Sequence, residues 1–176
     1  MTAMTTRPTL LNSCAFAATA AEARFRINAK PQTPRSTRVV ALDAGAAAVV
    51  RELVDHTWMG TRFLTFDAST APPVDVAADG RLADIVLLSA EGPVQLSDEL
   101  IDADFTMMIA TANDGAVAAT VIGRACVLRG IMTAGVVVGE GHQVDAAVNA
   151  LRPHARVLLV TNDRNDVAGI MSAVGA

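Results

Sequence analysis

The sequence predicts an α/β domain of three layers built on a six-stranded parallel sheet, and three observations lead there. Short apolar runs rich in Val, Ile and Leu recur between residues 38 and 166, without the polar alternation of half-exposed strands. Longer stretches with apolar residues at helical spacing separate them. The regular alternation of the two implies parallel strands joined by right-handed crossovers, with helices covering both sides of the sheet. The class is Rossmann-like, of the dinucleotide-binding type.

The elements follow in order. The first strand is read at Val39 to Leu42 and feeds a helix over Ala46 to Val54. Phe63 to Phe66 and Ile85 to Leu88 are the second and third strands. Phe105 to Ala110 is the fourth, with Met107 and Met108 as buried members, and a helix over Val117 to Leu128 follows. Ala134 to Val138 and Val157 to Val160 are the fifth and sixth strands, separated by a helix over Val144 to Leu151. Cys126 sits on an apolar helical stretch with Val121, Ile122 and Val127, and is read as core rather than nucleophile. His56 closes the first helix, where it is expected to meet the C-terminal dipole.

Composition narrows the function. A chain of 176 residues that is 52% hydrophobic and 18% charged can bury one sizeable core, which excludes disorder throughout. No run of about eighteen residues is free of charge, so no spanning helix is expected. With five Phe, one Trp and no Tyr, the aromatic platforms that stack nucleic-acid bases are lacking, and no nucleic-acid partner is expected. Thirteen of the fourteen cations are Arg; the one Lys, Lys30, stands in a Pro-bearing stretch, which disfavours a Walker loop or a Schiff-base enzyme. Cys14 and Cys126 form no C-x-x-C and indicate neither a zinc knuckle nor a disulfide framework. His142 with Glu140 and Asp145 lacks any established ligand spacing, so no metal site is assigned.

Charge divides the chain. Residues 1 to 38 carry Arg7, Arg24, Arg26, Lys30, Arg35 and Arg38 against Glu22, a net of +5, leaving −9 on the rest. Residues 1–37 therefore read as a basic arm and linker, and 38–176 as the α/β domain. The weak apolar stretch around Leu10, Leu11 and Phe16 is broken by Asn12 and Ser13, so a cytoplasmic chain is favoured over a targeting segment. A helix is expected over roughly 14 to 27 and a linker over Asn28 to Thr37, with Pro31 and Pro34. Leu10, Leu11, Phe16, Phe25 and Ile27 give the arm apolar anchors, and a homo-oligomer, most simply a dimer, is expected to depend on it.

Fold class also locates a site, because ligands in such sheets bind beyond the carboxyl ends of the strands, near the reversal of strand order. Those ends carry Asp43 and Gly45, then Asp67, then Thr111, Asn113, Asp114 and Gly115, then Gly139, Glu140 and His142, and last Asn162 and Asp163. The many carboxylates repel a polyphosphate unless a metal intervenes. Asp, Asn and Gly are equally the ordinary turn formers and helix caps of loop ends.

The order of residues resembles the tubulin and FtsZ superfamily. Arg-Val-Val-Ala-Leu-Asp-Ala-Gly-Ala-Ala-Ala-Val-Val-Arg-Glu-Leu-Val at 38 to 54 is similar to its opening strand, glycine loop and first helix. Arg-Phe-Leu-Thr-Phe-Asp at 62 to 67 is similar to its second strand. Asp-Ala-Asp-Phe-Thr-Met-Met-Ile-Ala at 102 to 110 stands where its signature loop is approached, and Arg-Gly-Ile-Met-Thr-Ala-Gly-Val-Val-Val at 129 to 138 resembles the next strand. Leu-Arg-Pro-His-Ala-Arg-Val-Leu-Leu-Val-Thr-Asn-Asp-Arg at 151 to 164 resembles the sixth strand with its Asn-Asp-Arg ending. The resemblance implies a strand order of 3-2-1-4-5-6.

The departures shape the function it implies. The family's first glycine run is here Asp43-Ala44-Gly45-Ala46-Ala47, and its Gly-Gly-Gly-Thr-Gly-Thr-Gly loop is Thr111-Ala112-Asn113-Asp114-Gly115-Ala116-Val117. Glycines let backbone N–H groups converge on phosphate oxygens, so β-carbons and carboxylates there weaken a triphosphate cradle. The sequence ends near residue 176, where the family begins its central helix, and shows no counterpart of the second domain that supplies the catalytic acid. GTP hydrolysis and GTP-dependent filaments are not expected. Gly45 and Asn162-Asp163-Arg164 match loops that hold nucleotide in the family, and Asp67 suits ribose recognition, so weak nucleotide binding stays open without an obligatory cofactor. Two readings result: a non-catalytic FtsZ-like module acting by association with a protein partner or itself, or a small ligand-binding protein or enzyme using the crevice.

Overall fold

The computed structural model describes residues 36–70 and 85–174, all within the compact unit Thr33–Ala176. The expected helical arm, Cys14 and the linker lie outside the described residues, apart from Ser36 and Thr37. The described chain runs β1 (Thr37–Ala41), α1 (Ala44–Val54), β2 (Thr61–Phe66), β3 (Val86–Ser89), β4 (Gly92–Gln95), α2 (Leu96–Glu99) and β5 (Phe105–Ala110). It continues through α3 (Ala116–Arg129), β6 (Met132–Val138), α4 (Asp145–Leu151), β7 (Val157–Thr161) and α5 (Asn165–Val174).

These strands form one seven-stranded sheet in the order β4-β3-β2-β1-β5-β6-β7. From β2 to β7 all pairings are parallel, and Val39 lies between Phe63 and Met107 in register. The six expected strands stand in the expected order, but the sheet is neither six-stranded nor wholly parallel. β3 pairs antiparallel with β2, and β4 is an additional strand antiparallel to β3. Gly92 and Pro93 conceal β4 in the sequence, since both are poor strand residues; Pro is tolerated because β4 is an edge. Only Ala90 and Glu91 separate the paired residues Ser89 and Gly92, a link too short for a crossover.

The central strands are buried on both faces, which is why their sequences read as unbroken apolar runs. Val40, Met108 and Val137 pack against α3 and α4 through Ile122, Ala125 and Leu151. Val39, Met107, Ile109 and Val136 turn the other way, against Val49 and Leu53 of α1 and Val167 and Met171 of α5. Cys126 is fully buried in the first of these layers, and burial pushes its thiol pKa up, as a core role requires.

At the C-terminus of α1 the Leu53 carbonyl accepts the His56 backbone N–H at 3.1 Å and the Trp58 indole Nε1–H at 2.7 Å. The His56 ring lies beside the indole, with centroids 6.1 Å apart. At the N-terminal ends of the strands, Arg38 is not part of a free basic arm. It is 7% exposed in β1, and its Nε meets Glu99 Oε2 at 2.8 Å. Arg62 of β2 reaches the other Glu99 oxygen at 3.3 Å. No helix among the described residues is long and apolar enough to cross a membrane.

Candidate functional site

The strand order reverses between β2-β1 and β5-β6, so the loops after β1 and β5 frame the place where a doubly wound sheet receives its ligand. Asp43 follows β1 in extended conformation as the N-cap of α1, and its Oδ1 accepts the Ala46 N–H at 2.8 Å. The same carboxylate crosses to the loop after β5. Its Oδ2 accepts the backbone N–H groups of Thr111 at 2.7 Å and Ala112 at 3.2 Å, and Thr111 Oγ1 donates to Oδ1 at 2.6 Å. Three backbone donors and a hydroxyl thus converge on one side chain that is 8% exposed.

The glycines serve this contact. A Cβ on Gly45 would lie 2.1 Å from Thr111 Oγ1, and one on Gly115 would lie 3.1 Å from Asp43 Oδ2 and from Leu42 Cβ. Their missing side chains let the two loops approach each other closely. Asp43 is the helix cap that the sequence allows at such a loop end; its reach across to Thr111 and Ala112 carries no sequence signal.

Asn113 forms a second tie. Its Nδ2 donates to the His142 carbonyl at 2.6 Å and its Oδ1 accepts the Ala146 N–H at 2.7 Å, fastening the loop after β5 to the start of α4. Asp67, at the end of β2, accepts from the N–H and hydroxyl of Ser69 at 2.9 and 2.7 Å, and these bonds lower its pKa. Gly139 donates its N–H to the Thr161 carbonyl at 2.8 Å, linking the ends of β6 and β7. Beyond β7, Asn162 Nδ2 donates to Glu140 at 3.2 Å, Asp163 Oδ1 caps α5 through the Asn165 N–H at 2.9 Å, and Arg164 pairs with Glu52 of α1 at 3.2 Å. His142 meets Asp145 at 3.1 Å on the surface, and no group of three or more His, Cys, Asp or Glu side chains among the described residues is placed to hold a metal ion.

The structure therefore brings Asp43, Gly45, Thr111 and Gly115 into one cluster, with Asn113 adjacent. Asp114 belongs to a neighbouring space, a cavity of about 530 Å³ between the ends of β1 and β2, walled by Leu42, Phe66 and Val117. Asp43 itself also lines it, together with Thr65, Arg51 of α1 and the small side chains of Ala44, Ala47 and Ala68. The sequence signal for that cavity is the run of alanines in the first turn of α1, which leaves room above Phe66. Arg51, one turn beyond Ala47, carries no sequence signal of a site; its Nε donates back to the Ala47 carbonyl at 3.2 Å. Comparison of the chain with protein-family models and with curated proteins finds no match.

Proposed function

We propose that this chain is a non-catalytic, FtsZ-like α/β module that works in the cytoplasm by association with a protein partner or a second copy, its nucleotide site degenerate. The observation that carries the reading is the Asp43 carboxylate. It accepts from Ala46, Thr111 and Ala112 N–H groups at the point where a nucleotide-binding fold directs such groups at phosphate. A phosphate would have to displace a charged hydrogen-bond acceptor and then lie against it, which costs Coulomb energy in a partly buried site. The strand order β3-β2-β1-β5-β6-β7, equivalent to 3-2-1-4-5-6, supports the family likeness, while the antiparallel β3-β4 hairpin departs from the parallel edge expected with it.

Phosphate release and light scattering on addition of GTP and Mg²⁺ test the reading. Neither hydrolysis above background nor assembly is expected, and GTP-dependent polymerisation overturns it. The cavity of about 530 Å³ favours a second reading, a site for a small ligand with an apolar body, since its volume falls in the range of small-molecule pockets. Thermal unfolding with a panel of metabolites and nucleotides separates the two. A true ligand at a hundred times its dissociation constant adds about 2.7 kcal/mol, whereas an association module gains stability only with its protein partner.

A further inference from the structure

We propose that β7 is the strand through which two copies of this chain join, edge to edge and antiparallel across a twofold axis, extending the sheet from one copy into the next. The inference rests on the association reading and names its surface and its partner.

The two edges of the sheet differ. β4 spans four residues and includes Gly92 and Pro93, devices that discourage further pairing. β7 reads Val-Leu-Leu-Val-Thr, without proline, glycine or charge. Because Gly139 donates to the Thr161 carbonyl, the alternation of a parallel ladder turns the main-chain groups of Val157, Leu159 and Thr161 toward β6. Those of Leu158 and Val160 point away from it, and no described strand lies beyond. Val157 is 60% and Val160 48% exposed, unlike the fully covered strands at the centre of the sheet.

Charge selects the occupant. At the N-terminal end of β7 stand the exposed Arg152 and Arg156; at its C-terminal end stand the exposed Glu140, Asp163 and Asp166, with Arg164 already paired to Glu52. A twofold axis makes the pairing antiparallel and isologous, so the basic end of each strand meets the acidic end of the other. Centred on Leu159, this register sets Leu158 opposite Val160 of the partner subunit, so that the outward N–H and C=O groups exchange hydrogen bonds. It sets Arg156 opposite Asn162 of the partner subunit, beside the partner's Asp163, and brings each Val160 under apolar cover.

Sedimentation of the full chain over a range of concentrations, combined with residue-resolved amide exchange, tests the proposal. The expected result is a dimer in which the Leu158 and Val160 amides exchange more slowly as concentration rises. Val160→Lys, at a half-exposed position, raises the dimer dissociation constant about tenfold or more while circular dichroism stays native. The exchange measurement uses the unaltered chain and decides the matter even if the variant misfolds. A dimer in which those two amides stay unprotected overturns the β7 surface and leaves the association reading standing. A chain that is monomeric at its highest soluble concentration overturns the surface and self-association together, while a heterologous partner then remains for the association reading.

Discussion

Asp43 and Glu99 are both carboxylates almost wholly withdrawn from water, 8% and 6% exposed, and they lie at opposite ends of the same sheet. Asp43 sits beyond the carboxyl end of β1 and is held by backbone N–H groups and one hydroxyl. Glu99 lies by the start of β1 and is held by the guanidinium groups of Arg38 and Arg62. The first solution needs no cation, so it is compatible with a loop cluster that elsewhere in this fold class receives an anionic ligand. The second is an ion network whose members come from β1, β2 and α2, and it locks the strand starts to the short helix. At the carboxyl end of the sheet Asp43 is thus engaged by its own loops beside a cavity of about 530 Å³ that it also lines, and the opposite end carries the ion network of Glu99.

The largest expected effect comes from breaking the Glu99 network. Glu99→Ala leaves Arg38 buried without a counter-charge and is expected to cost about 3–5 kcal/mol in urea unfolding. Replacing both groups, as Arg38→Met with Glu99→Leu, is expected to recover most of that loss, because the penalty comes from an unpaired buried charge rather than from the loss of attraction. A double variant as unstable as the single one would mean that Glu99 acts mainly through Arg62.

Asp43→Ala ranks next, at about 2–4 kcal/mol, since it removes a helix cap and leaves the Thr111 and Ala112 N–H groups without their acceptor. The same variant sharpens the contrast between the two ends. Inorganic phosphate is expected to raise its midpoint of thermal unfolding more than it raises that of the unaltered chain, because the donors are then open to an anion. Equal responses would show that these donors do not form an anion site. Gly45→Ala is expected to cost about 1–3 kcal/mol through overpacking against Thr111 Oγ1, with Thr111→Ala in the same chain relieving part of it.

How much of this was legible follows from the same physics. Phe105–Ala110 keeps the bounds read from the sequence because both its faces are buried and every position is apolar or, at Thr106, tolerant of burial. β4 was not legible, since Gly92 and Pro93 carry the signature of a turn, and α5 was not assigned, since it opens on Asn165 and Asp166 and contains Gly169. The place of the polar cluster was legible because strand ends are fixed by the crossover pattern. Its chemistry was not, because whether Asp43 binds a ligand or its own loops depends on Thr111, 68 positions away. Glu99 gave no signal at all: its partner Arg38 stands 61 positions earlier, and no local spacing marks the pair.

Acid separates the two ends by a smaller effect, whose sign can be worked out group by group. His154, between α4 and β7, stacks over Gly123 of α3, where a Cβ would come within 2.6 Å of it, and its pKa is lowered, first by burial and then by the nearby Arg124 charge. A histidine whose folded pKa lies below its ordinary 6.5 is held neutral by the fold. Its contribution is complete above 6.5 and declines as pH falls from there toward the folded value, because the unfolded chain binds the proton more readily. Asp67 is also shifted down, by its bonds to Ser69, but from an ordinary value of 3.8. Its contribution is complete above 3.8 and is lost only as pH falls through its still lower folded value. Stability should therefore fall in two stages on acidification, first at the packing of α3 against the α4–β7 link and later at the turn after β2. His154→Gln is expected to flatten the stage that begins at 6.5 without touching the other, and Asp67→Asn the reverse. Unfolding curves measured from neutral pH down to about 3 check this, and a first stage that survives His154→Gln assigns it to another group.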